Sequence, residues 1–150
     1  MPASNIFGLW ANNNITSNAS FNNMLPYITG WNFRIAWKDI ETGFNVWNWA
    51  FFDDQVKRAI NAGKYVGFMI YTGPNAPDYI FTEPTQHSFT NDRGRWPYYF
   101  DTYYITRWYN MKNQLLNHIN TTYTALEKEK ILFWMSAEGS TGDEGPYKGT

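Results

Sequence analysis

Cysteine is absent from this sequence of 150 residues. A disulfide scaffold, a thiolate metal site and a cysteine nucleophile are therefore excluded. Charged residues are also scarce, at 17% of the chain, and the formal net charge is −1. Because a polyanion-binding surface needs a surplus of lysine and arginine, this balance argues against nucleic acid as a partner.

Long apolar segments are missing as well. The longest apolar run extends only from Tyr65 to Tyr71, far short of the roughly 20 residues that span a bilayer, so we expect no membrane partner. Residues 1–8 have neither the basic region nor the apolar stretch of a signal peptide. The cellular compartment is left open, because a true N-terminus upstream of these residues would permit export.

Aromatic residues, in contrast, make up 20% of the chain. Tyrosine and tryptophan are favoured where one face of a ring is buried and one edge stays polar. A core of this size does not need so many rings, so we expect some of them on the surface. Pyranose rings have apolar C–H faces and polar rims, which makes an oligo- or polysaccharide the expected partner. No cofactor and no metal ion is expected.

Four short apolar runs alternate with helical segments. The runs are residues 6–10, 32–37, 65–71 and 131–137, and helical spacing predicts helices over 20–25, 54–62 and 102–126. Runs of this kind predict strands buried on both faces, as in a parallel sheet. Asp53 or Asp54 is expected to cap the second helix, Gly63 to end it, and Asp101 to cap the third. The order predicts an α/β fold, either part of a (β/α)8 barrel or an open doubly wound sheet.

One connection in this pattern is unusually long. Residues 72–101 join the third strand to its helix, and loops beyond about 12–15 residues are usually functional or disordered. The many aromatic residues of this segment argue against disorder. Because it leaves the carboxyl end of a predicted parallel strand, we expect it to serve a site, with a packed structural insertion as the alternative.

The predicted strand ends bring polar and aromatic side chains to one edge of the sheet. Glu138 follows the last strand, where partial desolvation suits a proton donor that works near neutral pH, although a helix cap or a pair with Arg34 is the alternative. Glu144 is a rival for the same role. Arg34 lies inside an apolar strand, so it is expected either to orient a substrate or to form a structural ion pair. The candidates for substrate binding are Trp10, Arg34, Trp37, Tyr71, Asn75, Asp143 and Tyr147.

The two histidines make no metal-binding pattern. His87 lies in the long connection and His118 in a predicted helix, far apart in the sequence. We expect both at the surface.

Four segments together resemble the N-terminal half of the clan A glycoside hydrolases, especially those of the β-galactosidase type. They are FRIAWKDIETG at 33–43, WNWAFFD at 47–53, AINAGKYV at 59–66 and YTGPNAP at 71–77. The resemblance extends over residues 6–139 as a pattern of spaced residues. It implies that residues 1–150 are the first four β/α units of a truncated (β/α)8 barrel that hydrolyses glycosidic bonds with retention.

The resemblance also implies roles for individual residues. Glu138 matches the acid/base that follows strand four, and the nucleophile after strand seven would lie beyond Thr150. The family pattern has asparagine before this glutamate, whereas this chain has Ala137. Residues 142–147 are also similar to the acid-bearing loop of β-amylases, which keeps Glu144 as the alternative acid. With one carboxylate, the 150-residue chain is expected to be inactive alone.

Two other functions remain open. The first is a carbohydrate-binding or scaffold module that has the fold without catalysis, and the second is an unrelated α/β enzyme with an open sheet. A four-stranded half-barrel exposes strand edges on both sides, which leaves room for self-association.

Overall fold

Eight strands and six α-helices form the structure, a computed structural model that describes residues 7–92 and 94–137. In chain order they are β1 (Trp10–Asn12), α1 (Asn18–Met24), β2 (Gly30–Ala36), α2 (Trp37–Ile40), β3 (Glu41–Gly43), β4 (Val46–Trp47), α3 (Ala50–Asn61), β5 (Tyr65–Tyr71), α4 (Asp78–Thr82), β6 (Ser88–Asn91), β7 (Gly94–Pro97), α5 (Thr102–Thr122), α6 (Ala125–Lys128) and β8 (Ile131–Ala137). The mixed α/β class predicted from the sequence is confirmed.

A four-stranded parallel sheet is the centre of the fold. Its strand order is β1-β2-β5-β8, which is the order of the chain. The apolar runs at 65–71 and 131–137 are strands with the predicted bounds. The first two strands are shifted from their predicted positions, since β1 begins at Trp10 instead of ending there and β2 ends before Trp37.

Three helices cover one face of this sheet. Aromatic rings make the contacts between helix and strand, with centroids between 4.9 and 6.0 Å apart: Phe21–Trp31 for α1, Phe52–Phe33 and Phe52–Phe68 for α3, and Trp108–Trp134 for α5. Successive side chains of a strand point to opposite faces. The register of the strands puts all of these strand residues on the same face, so α1, α3 and α5 lie on one side of the sheet.

The opposite face is polar in its middle, and we call it the polar face. It carries Asn12 of β1 together with Asn32 and Arg34 of β2, at alternate strand positions. The Asn32 side chain is buried, and its Nδ2 donates to Oδ1 of Asn12 at 3.2 Å and contacts Sδ of Met135 at 3.5 Å. The polar groups of this face therefore hold one another in place across β1, β2 and β8.

The amino end of the polar face is closed by aromatic rings. The Trp10 ring packs against Phe133 with 5.0 Å between centroids. It also lies directly over Gly30, where a Cβ atom would stand 2.5 Å from the ring. Glycine is therefore required at the start of β2 to let the indole approach the backbone.

Helix α3 begins earlier than the sequence pattern predicts. Ala50 is its first residue, and the Ala50 main-chain N donates to Oδ1 of Asn48 at 3.2 Å. The prediction that Asp53 or Asp54 caps this helix is therefore wrong. Gly63 follows the helix end as predicted, with a left-handed φ of +74° that glycine adopts readily.

The helix predicted over 102–126 is interrupted, and α5 ends at Thr122. A capping box starts α6, in which Oγ1 of Thr124 accepts from the Glu127 main chain and the Glu127 carboxylate accepts from the Thr124 main chain. Asp101 stands at the N-cap of α5 but does not cap it, because its carboxylate accepts from the main-chain N of His87. In the described part of the chain, no helix is long and apolar enough to cross a membrane.

The described residues of the long connection, 72–92 and 94–101, are folded. They contain a 3₁₀ turn (Gly73–Asn75), helix α4 and the β6–β7 hairpin. Trp96 of the hairpin is buried against the turn, and its Nε1 donates to Oδ1 of Asn91 at 2.9 Å. The order expected from the aromatic content of this segment is confirmed.

Candidate functional site

Two of the predicted site residues, Arg34 and Tyr71, line one cleft at the carboxyl edge of the sheet, which we call the strand-edge cleft. Its volume is about 290 Å³. The parallel register of β2 and β5 explains why these two side chains are close. Ala36 pairs with Tyr71, and Arg34, two residues before Ala36, points to the same face of the sheet. The other lining residues are Asn14, Ile35, Ala36, Asp39 and Phe51.

Arg34 is held in this cleft by a main-chain hydrogen bond. Its main-chain N donates to Oδ1 of Asn14 at 2.7 Å, which ties the loop after β1 to β2. Its Nε is buried and has no hydrogen-bond partner among the described residues. Within residues 7–92 and 94–137, Arg34 also forms no ion pair. A guanidinium in this state is suited to bind an oxygen acceptor, whether a carboxylate or a hydroxyl.

A second cleft, which we call the hairpin cleft, lies between the β3–β4 hairpin and the start of α4. Its volume is about 340 Å³. It is lined by Lys38, Asp39, Glu41, Thr42, Gly43, Pro77, Asp78 and Tyr79. Asp39 lines both clefts, so they meet at α2 and offer one polar surface beside the carboxyl ends of β2 and β5.

A buried ion pair supports the wall of the hairpin cleft. Glu41 is fully buried and Arg107 of α5 is 7% exposed. Arg107 Nη2 donates to Oε1 of Glu41 at 2.5 Å, and the Asn45 main chain donates to the same oxygen at 3.0 Å. Oε2 of Glu41 accepts from Nε1 of Trp37 at 2.9 Å. Both carboxylate oxygens are therefore engaged, so Glu41 positions the hairpin and is not available to a substrate.

The Arg107 guanidinium is also enclosed by two aromatic rings. It lies 4.3 Å from the ring centroid of Phe44 and 5.3 Å from that of Tyr79, and its Nε donates to the Tyr79 hydroxyl at 3.2 Å. Burial raises the pKa of Tyr79, and the charge of Glu41 adds to the effect although the bond from Arg107 opposes it. Sequence reasoning missed this cluster because its members come from three separate segments.

The remaining predicted contact residues lie apart from the clefts. Trp37 is fully buried in α2, where its ring packs on Tyr104 and Trp108. The Trp37 side chain therefore lines neither cleft, and its role as a substrate contact stays a prediction. Trp10 lies at the amino edge of the sheet, opposite the clefts. Asn75 is at the carboxyl edge, in the turn after β5, but lines neither cleft.

Four predicted site residues lie outside the described residues. They are Glu138, Asp143, Glu144 and Tyr147, so their roles stay predictions. Among the residues that the structure does describe, no group of three or more His, Asp and Glu side chains is arranged to hold a metal ion.

The histidines differ in their environments. His87 is exposed, as predicted, and its Nδ1 lies 3.0 Å from the carboxylate of Asp101. The prediction of a surface position is wrong for His118, whose side chain is 13% exposed. Its Nε2 lies 2.8 Å from Oδ1 of Asp53, and its ring stacks on Trp49 with 4.6 Å between centroids. His118 therefore joins α5 to α3 on the helical side of the sheet.

Comparison of the chain with protein-family models and with curated proteins finds no match. The resemblance to clan A glycoside hydrolases accordingly stays a prediction. A function has to be argued from the sheet, the two clefts and the residues that line them.

Proposed function

We propose that this chain is the N-terminal half of a (β/α)8 barrel that binds carbohydrate and hydrolyses glycosidic bonds with retention. The observation that carries the proposal is the shared cleft of Arg34 and Tyr71 at the carboxyl edge of a parallel sheet. In (β/α)8 enzymes the site is built at this edge from the ends of several strands and the loops that follow them.

The winding of the sheet supports a barrel over the open alternative. A doubly wound sheet reverses its strand order and carries helices on both faces. Here the strands follow chain order, and α1, α3 and α5 share one face. Four β/α units wound in this way are what the first half of a (β/α)8 barrel requires.

The chemistry of the clefts supports a sugar as ligand. Arg34 lines the strand-edge cleft and its guanidinium carries several N–H donors for a sugar hydroxyl, and the carboxylates of Asp39 and Asp78 can accept from others. Tyr71 and Phe51 add ring surface to the strand-edge cleft for the C–H face of a pyranose. Polar groups beside aromatic rings match a saccharide, because the polar groups bind its hydroxyls and the rings pack on its C–H face.

Retention requires two carboxyl groups about 5–5.5 Å apart on either side of the scissile bond. Glu138 supplies the first, and in sequence it directly follows Ala137, whose backbone pairs with Tyr71. It protonates the leaving oxygen and then takes a proton from the attacking water. The resemblance implies that the nucleophile lies on a later strand, and Glu41 is unsuited to the role because both of its oxygens are engaged.

The acid/base role is tested by Glu138→Ala in the full natural polypeptide. Hydrolysis of aryl glycosides with poor leaving groups is expected to fall about 10²- to 10⁴-fold, whereas dinitrophenyl glycosides, which need no protonation, lose much less. Added azide should restore turnover and give a glycosyl azide. Glu144→Ala is the matched control and should keep activity. If Glu144→Ala loses activity and Glu138→Ala keeps it, the acid is Glu144. Equal activity of the two variants would contradict the acid/base role of Glu138.

A carbohydrate-binding module without catalysis is the second candidate. It is favoured by the fact that both clefts are formed by described residues without Glu138. Titration of the chain with a panel of cello-, xylo-, manno- and galacto-oligosaccharides, followed by tryptophan fluorescence, tests the part common to both candidates. Arg34→Met should weaken binding. Binding without any turnover by the full polypeptide would support the module, and no binding of any sugar would contradict both.

A further inference from the structure

We propose that the hairpin cleft is a second sugar subsite, in which the exposed ring of Phe44 packs on the pyranose next to the one in the strand-edge cleft. The inference rests on the proposed function and deepens it, because it assigns the ligand as a chain of at least two linked sugar residues. The two clefts meet at Asp39, so consecutive residues of one saccharide fit both. With about 340 Å³, the hairpin cleft is within the roughly 300–1,000 Å³ of ligand pockets.

The walls of the hairpin cleft are complete within the described residues. They come from α2, the β3–β4 hairpin and the start of α4. These segments follow β2 and β5, which are the two central strands of the sheet. Strands added at either edge of the sheet leave β2 and β5 adjacent, so the cleft does not depend on where the polypeptide begins or ends.

Phe44 stands at the tip of the hairpin, on the rim of the hairpin cleft. It directly follows Gly43, and its ring meets that of Tyr79 with centroids 5.5 Å apart and an interplanar angle of 78°. Both of these neighbours line the cleft. The Arg107 guanidinium lies 4.3 Å from the Phe44 ring centroid and covers one face of the ring. Phe44 is nevertheless 57% exposed, so the opposite face is open to a ligand.

The hairpin tip is fixed before any ligand binds. Asn45 has a left-handed φ of +58°, a conformation that asparagine adopts more readily than most residues. Its main-chain N donates to Oε1 of Glu41 at 3.0 Å. Its Oδ1 accepts from Nη2 of Arg107 at 2.9 Å and from Nδ2 of Asn110 at 3.1 Å. An exposed ring on a tip held at three points loses little conformational freedom on binding, which favours affinity.

The charges of the cleft favour an uncharged sugar as its occupant. Lys38, Asp39 and Asp78 bring one positive and two negative charges to the lining. The charges of Glu41 and Arg107 balance each other. An anionic sugar such as a uronate therefore meets net repulsion, whereas hydroxyl groups can donate to the aspartates and accept from the lysine. The open ring face at the rim then matches the C–H face of the same pyranose.

A length series of one saccharide tests the subsite. The sugar that binds best in the panel above is measured as mono-, di-, tri- and tetrasaccharide by isothermal titration calorimetry with the full natural polypeptide. Occupation of both clefts should lower the dissociation constant at least about tenfold between the monosaccharide and the longer members. Phe44→Ala should remove this gain and leave the monosaccharide constant unchanged, because a single sugar stays in the strand-edge cleft.

The need for a flat ring is tested by further variants of the hairpin. Phe44→Leu keeps an apolar side chain beside Tyr79 but lacks the ring face, and should resemble Phe44→Ala. Phe44→Trp keeps a ring and should retain the gain. Val46→Ala is the matched control, since Val46 is also 57% exposed on the same hairpin and has no ring. It should leave every constant unchanged. Unaltered monosaccharide binding shows in addition that each variant is folded.

The outcomes separate this inference from the proposed function. Arg34→Met should weaken binding at every length, and Phe44→Ala only beyond the monosaccharide. If the longer saccharides keep their gain in Phe44→Ala, the added residues bind elsewhere and the hairpin subsite is wrong, while the proposed function stands. An equal loss in Val46→Ala, or tighter binding of oligogalacturonides than of the neutral series, would overturn the subsite as well. If no sugar binds at any length, both proposals fail.

Discussion

Arg107 and Glu41 form a buried ion pair in which Nη2 lies 2.5 Å from Oε1, although the two residues are 66 positions apart in the chain. The pair joins α5 to the β3–β4 hairpin. That hairpin forms one wall of the hairpin cleft. The shape of the cleft therefore depends on Arg107, which does not line the cleft itself.

Arg107→Met is expected to lower the free energy of unfolding by about 3–5 kcal/mol, because it leaves the Glu41 carboxylate buried without its cation. Urea denaturation measures the change. Arg58→Met is the control, since the Arg58–Asp54 pair is half exposed on α3 and should contribute less than about 1 kcal/mol. The double variant Glu41→Gln with Arg107→Met should cost less than the sum of the single variants. Additive costs would show that the two groups do not act as a pair.

Alkaline pH should destabilise the protein through two buried tyrosines. Burial raises the pKa of Tyr79 and of Tyr123, and the hydrogen bond from Tyr123 to Asp53 adds to the second shift. Because the folded state favours the neutral phenol, the stabilisation is complete below about pH 10, the value for an unfolded tyrosine. It is lost progressively as the pH rises above that value.

Urea unfolding at several pH values between about 8 and 11 measures this slope. Tyr79→Phe and Tyr123→Phe should each flatten the decline. Tyr27→Phe, at an exposed position, controls for the loss of one phenol and should leave the decline as it is. A slope unchanged in both buried variants would refute the role assigned to these two groups.

Gly30→Ala is expected to destabilise the fold by about 1–3 kcal/mol, the usual cost of overpacking. The new Cβ would stand 2.5 Å from the Trp10 ring, which must then move off Phe133. Thermal unfolding measures the loss. Trp10→Ala in the same chain should make the added cost of Gly30→Ala much smaller, and an equal cost in both backgrounds would exclude the ring contact as its cause.

Asp39 lines both clefts, so its carboxylate is expected to contact any ligand that extends from one cleft to the other. Asp39→Asn keeps the size of the side chain but removes a charge-assisted hydrogen bond, and should weaken oligosaccharide binding about tenfold. Isothermal titration calorimetry gives the dissociation constant. Asp54→Asn, on the helical side of the sheet, is the matched control, and an equal effect of both substitutions would argue against a ligand at the clefts.

The strands were the most predictable elements. An unbroken apolar run allowed β5 and β8 to be placed from a short window of residues. Burial on both faces holds for β5, whereas Leu132 and Phe133 of β8 are partly exposed. The start of α3 was not predictable in this way. Aspartate is a common N-cap residue, but the Asp53 carboxylate contacts His118 and accepts a hydrogen bond from Tyr123 instead of capping the helix. Which partner an acid finds depends on residues some 65–70 positions away.

Only part of the candidate site could be predicted from the sequence. The meeting of Arg34 and Tyr71 in one cleft could be predicted, because each stands at or near the end of an apolar run and parallel strands bring such ends to one edge. Trp37 met the same criterion, yet the chain turns into α2 at that residue and buries the ring. The Arg107–Glu41 cluster had no local signal, since an arginine on a helix is usually a surface residue.

Amino-acid order alone therefore specified the α/β class and the strands β5 and β8, because these depend on the hydrophobicity of neighbouring residues. The tertiary structure decided that the three helices share one face, that Asp39 joins two clefts and that Glu41 is engaged by Arg107. These relationships depend on close packing between distant segments, in which each side chain takes the partner that the whole fold brings within reach.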